Sequence, residues 1–268
     1  MEEKIFDFWL CNIAGIGNRK IKSLLEYFGS PKEVFSAKRQ QLERVENLRE
    51  KDRERILSCQ NLEEVKKQYE RLQKKGIHFL SVREETYPEK LCCLCDAPYG
   101  LYYKGRLPNS LVPSIAVVGA RDASFEGKSL AEKFGCELAE NGIQVISGLA
   151  RGIDISAQRG VLKTARGRTY SVLGTGIDVC YPRQHIEEYM MMQENGGVLS
   201  EFPLQTPPLP YHFPMRNRLI SAFSDGILVL EAGKGSGSLI TAEQGLEQGK
   251  EIFVIPGNIM NPKYDGSN

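Results

Sequence analysis

The sequence predicts an α/β fold in which a doubly wound, mostly parallel sheet follows a small all-helical domain. From residue 115 onward, short β-branched and apolar runs alternate with amphipathic helical stretches and short links. Such alternation is typical of a parallel sheet with helices on both faces. The first 75 residues instead carry apolar side chains at helical spacing. We therefore predict a helical domain over 1–75 and an α/β domain over 76–268.

The helical region begins with Phe6, Trp9 and Ile13, which are spaced as on one face of a helix. The stretch Gly15-Ile-Gly17 then leads into a second helix. This outline is that of a helix-hairpin-helix, whose glycine turn can present N–H groups to a DNA phosphate, but it also serves as a plain helix connector. Both interpretations stay open. The charged residues over 37–75 favour surface helices with solvated polar faces.

Each later element follows from the same patterns. Gly76 ends the charged run, and the strand after it and the next one are expected to extend the edge of the main sheet. The predicted strands cover 77–82, 101–104, 115–119, 143–147, 169–173, 197–202, 226–231 and 251–255. The predicted helices of the second domain cover about 127–141, 153–165, 184–195, 216–224 and 239–249. The result is an extended Rossmann-like domain.

Composition excludes several classes of protein. With 35 basic and 34 acidic residues the net charge is +1, so a polyanion site must be a local concentration of arginine. No apolar run is long enough to span a bilayer, and we expect a cytoplasmic protein without a membrane partner. Seven cysteines without regular spacing indicate free thiols. Cys92, Cys93 and Cys95 lack the further ligands that zinc needs, so no metal is expected.

The stretch Ser114 to Gly127 is the centre of the predicted α/β domain. A buried strand ends at Gly119, a turn carries Arg121 and Ser124, and Gly127 opens a helix. Such a turn directs backbone N–H groups and the positive end of a helix dipole at one point. The natural ligand there is an anion, most often a phosphate.

Similar turns follow the other strands, and in a parallel sheet their carboxyl ends share one edge, where open α/β sheets bind ligands. Glycine lets a backbone approach closely, and arginine forks onto phosphate oxygens. The predicted phosphate-binding residues are Gly119, Arg121, Ser124, Ser147, Gly148, Arg151, Gly174, Gly176, Arg183, Phe213, Arg216, Asn217, Arg218, Gly235, Ser236, Gly237 and Ser238.

A dinucleotide cofactor does not fit this edge. The first turn, Gly119 to Gly127, is not G-x-G-x-x-G, and Arg121 would occupy the space of the pyrophosphate. The second strand ends at Ser147 rather than at an acidic residue. A P-loop fails too, because Lys234 stands at the wrong position in its glycine-rich loop. We therefore expect no cofactor.

The motifs VVGAR, SGLARGID, LGTGIDVCYP, LSEFP, FPMRNRLIS, EAGKGSGSLITA and IPGN, in this order over about 80–268, resemble the bacterial DNA-processing protein A family, also called DprA or Smf. The N-terminal helices resemble the family's small SAM-like domain. The resemblance implies a dimeric, non-enzymatic protein that binds and protects single-stranded DNA in natural transformation and loads the RecA recombinase. It also implies a longer natural chain, often with a C-terminal winged-helix domain.

The side chains are compatible with an unpaired strand. Arginines supply phosphate contacts, while Tyr181, Tyr211 and Phe213 offer faces on which unpaired bases can stack for about 1–3 kcal/mol each. Glu201 and Glu231 are expected to anchor arginines and loop N–H groups. For the dimer, the apolar stretches 219–223 and 239–249 are the candidate contact.

An enzyme on the same sheet is the alternative. The stretch from Gly235 to Glu243 is similar to the glycine-threonine-glutamate signature of nucleoside-monophosphate phosphoribohydrolases. In that signature a tight turn precedes the glutamate directly. Here Ser238-Leu-Ile-Thr-Ala242 intervenes, which is expected to carry Glu243 away from a ribose.

Overall fold

The computed structural model describes residues 2–268, which form two compact units. The first unit runs to Tyr87 and includes residues 95–102, and the second comprises residues 88–94 and 103–268. The predicted boundary after residue 75 falls within the first unit. The division into domains 1–75 and 76–268 stays a prediction.

The first unit is mainly helical, and its helices pack on fully buried leucine and isoleucine side chains such as Leu10, Leu24 and Ile56. Local signals set the helix starts: the side chains of Ser30 and Asn61 accept hydrogen bonds from backbone N–H groups three residues on. The elements are α1 Glu2–Asn12, α2 Asn18–Phe28, α3 Pro31–Ser36, α4 Arg39–Leu42, α5 Glu50–Ser58, α6 Leu62–Lys74 and β1 His78–Ser81.

The second unit alternates strands and helices, as the sequence predicts. It begins with α7 Glu89–Cys92, and β2 Gly100–Gly105 crosses into it from the first unit. The later elements are β3 Ser114–Gly119, α8 Phe125–Glu140, β4 Gln144–Ser147, α9 Ile153–Leu162, β5 Thr169–Val172, a 3₁₀ turn Arg183–His185, α10 Ile186–Glu194, β6 Gly196–Ser200, α11 His212–Phe223, β7 Gly226–Leu230, α12 Gly237–Glu247, β8 Glu251–Val254 and a 3₁₀ turn Pro262–Tyr264.

The six strands β3 to β8 run parallel in the order β6-β5-β4-β3-β7-β8. Strand β3 lies between β4 and β7, in register with Ile115 beside Val145 and beside Gly226. The chain therefore moves outward from β3 in one direction and later returns to continue in the other. This confirms the predicted doubly wound α/β fold.

Both faces of the sheet are covered. Right-handed crossovers place α8, α9 and α10 on one face, and α11 and α12 on the other. Between α8, α9 and the sheet lies a core that includes Val117, Ala131, Val145 and Ile153. At Gly119 an added Cβ would lie 2.0 Å from the Leu230 carbonyl oxygen, so only glycine lets β3 and β7 approach this closely.

Helix α11 begins at His212, earlier than the expected start at 216. Pro214 does not delay it, because Pro214 lies in the first turn, where backbone N–H groups have no partner within the helix. Every residue from Arg216 to Phe223 is buried. This earlier start places Phe213 on the helix, at the edge of the sheet where the strands end.

Candidate functional site

A cavity of about 460 Å³ opens at the carboxyl edge of the sheet, between the ends of β3 and β7. This is the point where the direction of winding reverses, and where the crossovers on either side leave the sheet for opposite faces. We call it the crevice. Its walls are the turns after β3 and β4, the start of α9, the first half of α11, and the glycine-rich loop that leads into α12. They contain Gly119, Arg121, Ala150, Asp154, Phe213, Arg216, Asn217, Lys234, Gly235, Ser236, Gly237 and Ser238.

An exposed cation and two aromatic rings form the rim of the crevice. The guanidinium carbon of Arg121 lies 5.4 Å from the centre of the Phe213 ring, within the range of a cation–π contact. The Tyr181 ring lies 5.6 Å from that of Phe213, tilted by 41°. Tyr181 is exposed and Phe213 is half-buried. The rim thus joins a positive charge to accessible aromatic surface.

Gly174 makes room for this aromatic pair. A Cβ at Gly174 would lie 2.8 Å from Cδ1 of Phe213, so the ring packs directly on the glycine backbone. The backbone N–H of Gly176 donates to the Thr206 carbonyl at 3.0 Å. Both glycines therefore shape the loop below Phe213, and their predicted phosphate contacts stay predictions.

Arg216 lies at the floor of the crevice and is 3% exposed. Its guanidinium donates to the Gly148 carbonyl at 3.0 Å and to the Val172 carbonyl. Burial lowers the pKa of Arg216 to about 10, opposed by the nearby Asp154 carboxylate, so the side chain is a cation at neutral pH. The centre of its guanidinium lies 6.0 Å from the Phe213 ring. Arg216 gives the floor of the crevice a fixed positive charge.

Among the residues that line the crevice, Asp154 carries an acidic side chain. Its Oδ2 accepts a hydrogen bond from the Gly148 N–H at 3.1 Å. Burial raises the pKa of Asp154, and the charge of Arg216 opposes that rise. Ser147, by contrast, is fully buried and donates to the Val117 carbonyl at 2.7 Å. Ser147 and Gly148 thus position the floor of the crevice.

Arg218 does not line the crevice, and its predicted phosphate contact stays a prediction. Side chains two positions apart on an α-helix point about 200° apart, so Arg216 and Arg218 face nearly opposite directions. Arg218 is 8% exposed and forms a two-pronged ion pair with Glu201, at 2.7 Å and 2.8 Å. As the sequence predicts, Glu201 anchors an arginine.

Ser124 caps α8 and is held by Glu231. Its backbone N–H donates to Glu231 Oε1 at 2.6 Å, its hydroxyl donates to the other carboxylate oxygen, and its Oγ accepts from the Gly127 N–H at 2.9 Å. The carboxylate of Glu231, 1% exposed, thus takes the place that the sequence assigns to a phosphate at this helix start. A DNA contact of Ser124 stays a prediction.

The glycine-rich loop contributes the start of α12. The Ser236 side chain is the N-cap, and its hydroxyl lies 2.8 Å from that of Ser238. Asn217 donates from Nδ2 to the Gly237 carbonyl at 3.2 Å, which ties α11 to this loop. Gly235 has φ +77°, a conformation that glycine adopts freely. The positive end of the α12 dipole therefore faces the crevice.

Arg151 and Arg183 are both exposed, at different places. Arg151 lines a small cleft beside the crevice together with Arg121, Tyr181 and Phe213. Arg183 begins the 3₁₀ turn after Tyr181 and does not line the crevice or that cleft. The structure thus brings Arg121, Arg151 and Arg216 together around Phe213, and leaves Arg183 to one side.

Comparisons with known proteins identify the family. The model of the family described as DNA recombination-mediator protein A matches residues 78–268. This chain belongs to that family. Protein Smf of Escherichia coli is 43% identical over 196 residues, which is 73% of this chain and 52% of that protein. DNA processing protein DprA of Streptococcus pneumoniae is 41% identical over 186 residues, 69% of this chain and 65% of that protein.

Solved structures of proteins from this family resemble this one. The X-ray structure of DprA from Streptococcus pneumoniae has a TM-score of 0.75 and 34% identity, covering 98% of this chain and 90% of that one. A structure of DNA processing protein A from Helicobacter pylori, described as showing its unique single-stranded DNA binding mode, has a TM-score of 0.63 and 29% identity, covering 72% of this chain and 85% of that one. The match spans about half to two-thirds of the length of the sequence relatives.

Sequence reasoning missed one cation of the crevice, Lys234. The position of Lys234 in its loop excluded a P-loop. Its place in a glycine-rich loop that follows a strand was nevertheless enough to predict that it lies at the carboxyl edge of the sheet.

Over residues 2–268, no helix is long and apolar enough to cross a membrane, and no cluster of histidine, cysteine and carboxylate side chains could hold a metal ion.

Proposed function

We propose that this protein binds single-stranded DNA at the crevice, with little sequence preference. The observation that carries the proposal is the exposed Arg121 guanidinium 5.4 Å from the Phe213 ring, with Tyr181 beside it. A phosphate can take the fork of the arginine while a neighbouring unpaired base stacks on the aromatic rim. The single-stranded DNA binding described for the Helicobacter pylori relative supports this assignment.

The same geometry disfavours a duplex. Base pairing and stacking hide the base faces that Tyr181 and Phe213 would contact. We expect tight binding to unstructured oligonucleotides and much weaker binding to the matching duplex. Fluorescence anisotropy with both forms checks this, and equal affinity would contradict the proposal.

Affinity for single strands should fall as salt rises. Each phosphate neutralised contributes a slope of about −0.7 to a plot of log K against log salt. The three arginines around Phe213, with Lys234, predict a total slope of about −2 to −3. A slope near zero, measured on the same oligonucleotide, would exclude arginine–phosphate contacts as the source of affinity.

We further propose that the bound strand is protected and passed to the RecA recombinase during natural transformation. The family's description as a recombination mediator supports this role. A strand held at the rim by a few arginines and stacked bases keeps most of its length accessible to a recombinase. No enzymatic activity is part of the proposal: Glu243, the residue of the phosphoribohydrolase alternative, is exposed on α12 and does not line the crevice.

We propose a homodimer, with a contact that differs in part from the sequence expectation. The stretch 219–223 cannot supply it, because Leu219, Ile220 and Phe223 are at most 2% exposed inside the fold, so that expectation is wrong. Exposed apolar side chains instead lie at the β8 edge, where Leu246 and Phe253 are 64% and 51% exposed. Among residues 2–268, strand β8 is paired on one side, with β7, and an unpaired edge beside apolar surface suits a second copy.

Light scattering tests this contact. The parent protein is expected to be a dimer at tens of micromolar, since two crevices on one flexible strand gain avidity. Leu246→Glu combined with Phe253→Glu should give a folded monomer, because both side chains are exposed and contribute little to the core. The matched change Leu111→Glu, at a side chain 91% exposed elsewhere, should leave the dimer intact. A parent that is strictly monomeric would contradict the proposal.

A further inference from the structure

A second cavity, of about 380 Å³, lies at the opposite edge of the sheet, where the parallel strands begin. It is formed by the loop before β3, the turn between α8 and β4, and the turn between α9 and β5. We call it the amino-edge cavity. Its volume lies in the range of small-molecule sites. Because the crevice lies at the carboxyl edge, the two cavities are separated by the length of the strands.

Three arginines meet at the amino-edge cavity. Arg106 comes from the loop after β2, and Arg166 and Arg168 come from the turn before β5. The residues that line the cavity include no carboxylate, and within residues 2–268 none of the three arginines forms an ion pair. Arginines on a protein surface are usually paired or scattered, since like charges brought together repel. A cavity that collects three of them favours an anion.

These arginines are not needed to complete the nearby backbone. At the end of α8, the carbonyls of Leu138 and Ala139 already accept hydrogen bonds from the N–H groups of Ile143 and Gly142, at 2.9 Å and 3.0 Å. Arg168 donates from one nitrogen to the adjacent Gly167 carbonyl at 2.9 Å. Its remaining donors, and those of the exposed Arg106 and Arg166, stay available to a ligand.

The walls are rigid. Gln144 is 3% exposed, and its side-chain amide donates to the carbonyls of Asn109 and Val112 at 2.8 Å and 2.9 Å while its oxygen accepts from the Asn109 N–H. The loop that carries one wall is thereby fixed to the start of β4. A cavity held open in this way needs little reorganisation to bind.

Tyr170 contributes a hydroxyl to the same cavity. The residue is 3% exposed and lines the cavity, and no residue in the described part of the chain hydrogen-bonds its hydroxyl. Burial raises the pKa of Tyr170, and the charges of Arg168 and Arg106 oppose the rise. All three side chains line the same cavity. A hydroxyl without a hydrogen-bond partner in the described residues, in a cavity that arginines also line, is a donor that a phosphate oxygen can use.

We propose that the amino-edge cavity binds a phosphate group through Arg106, Arg166 and Arg168, with the Tyr170 hydroxyl as a further donor. Forked arginine donors and a neutral hydroxyl match the oxygens of a phosphate. The phosphate can belong to a free nucleotide or to a DNA strand that extends beyond the crevice. Binding of a free nucleotide does not depend on the crevice being the DNA site, whereas the DNA strand as source rests on that proposed function.

The test uses Arg106→Ala combined with Arg168→Ala, with Arg44→Ala combined with Arg71→Ala as the matched control. The control removes the same charge from two exposed arginines whose side chains form no hydrogen bond or ion pair within residues 2–268. In the first arm, binding of inorganic phosphate and of dTMP is measured by titration calorimetry in an Arg121→Ala background, which weakens the crevice. Loss of two charge-assisted contacts should raise the Kd by about tenfold or more, and the control should leave it unchanged.

The second arm distinguishes the two sources of the phosphate. Oligonucleotides of about six and about thirty nucleotides are compared, since single-strand sites span several nucleotides. If the DNA strand is the source, the double variant loses affinity for the long oligonucleotide and retains it for the short one. If a free nucleotide is the source, the double variant raises the Kd for phosphate and for dTMP and leaves the Kd for both oligonucleotides unchanged.

The proposal is overturned if the double variant and the control give the same Kd for phosphate, for dTMP and for the long oligonucleotide. Circular dichroism checks that each variant is folded, and Arg106→Ala alone, at an exposed side chain, serves if the double variant is not. Failure of the crevice proposal gives a different result: Arg121→Ala would then bind the short oligonucleotide as tightly as the parent does.

Discussion

Arg218→Ala is expected to lower the free energy of unfolding by about 3–5 kcal/mol, because it leaves the Glu201 carboxylate buried without its partner. The two side chains are 10% and 8% exposed and share two hydrogen bonds of 2.7 Å and 2.8 Å. Arg218→Lys should recover part of the loss, since lysine keeps the charge but not the fork. Urea denaturation monitored by circular dichroism measures both effects.

The same variant separates a structural role from a binding role. Molecules of Arg218→Ala that remain folded should bind single strands as the parent does, because the guanidinium lies outside the crevice. Arg71→Ala, at an exposed arginine of α6, is the matched control and should change stability by no more than about 0.5 kcal/mol. A variant with the stability of the parent and a reduced affinity would show instead that Arg218 contacts DNA.

Arg121→Ala is expected to cost about 1.5–3 kcal/mol of single-strand binding, the contribution of a charge-assisted contact. The fold should be unaffected, because Arg121 is exposed and its structural contact is with the half-buried Phe213 ring. Arg121→Lys should restore only part of the affinity. Anisotropy titrations with one short oligonucleotide provide the comparison.

Arg71→Ala again serves as the control for Arg121→Ala. Another arginine of the first unit, Arg53, would be a poor control, because its guanidinium hydrogen-bonds Glu50 and the Leu48 carbonyl. The control should bind as the parent does. If folded Arg121→Ala also binds as the parent does, the crevice is not the DNA site, and the Gly15 to Gly17 turn becomes the better candidate. There Arg55 and Lys20 already donate to the carbonyls of Ala14 and Gly15.

The sheet, and the edge at which the crevice lies, could be predicted because both follow from local pattern. Alternating apolar runs identify parallel strands, and parallel strands place their following turns at one edge. The crevice residues Arg121, Phe213 and Arg216 were therefore found from sequence.

Leu149 and Glu231, with φ +58° and +48°, also lie at strand ends, where strained backbone is typical of functional sites.

The burial of residues 219–223 and the direction of the Arg218 side chain could not be predicted, because both depend on how α11 is oriented. Its sequence is apolar or small over 219–223, which is compatible with a surface contact as well as with burial. Only the packing shows that this stretch is inside and that Arg218 turns toward Glu201. The amino-edge cavity was missed for another reason: Arg106 and Arg168 are far apart in sequence and meet only when the strand beginnings align.

The location of the bound strand tests the central claim most directly. Ultraviolet crosslinking of an oligothymidine to the parent protein, followed by mass spectrometry of the crosslinked peptides, identifies the residues that bases contact. Stacked bases are expected to crosslink to Phe213 and Tyr181, and the yield should fall with the matching duplex. Crosslinks confined to the first unit, around Gly15 and Gly17, would contradict the assignment of the crevice as the DNA-binding site.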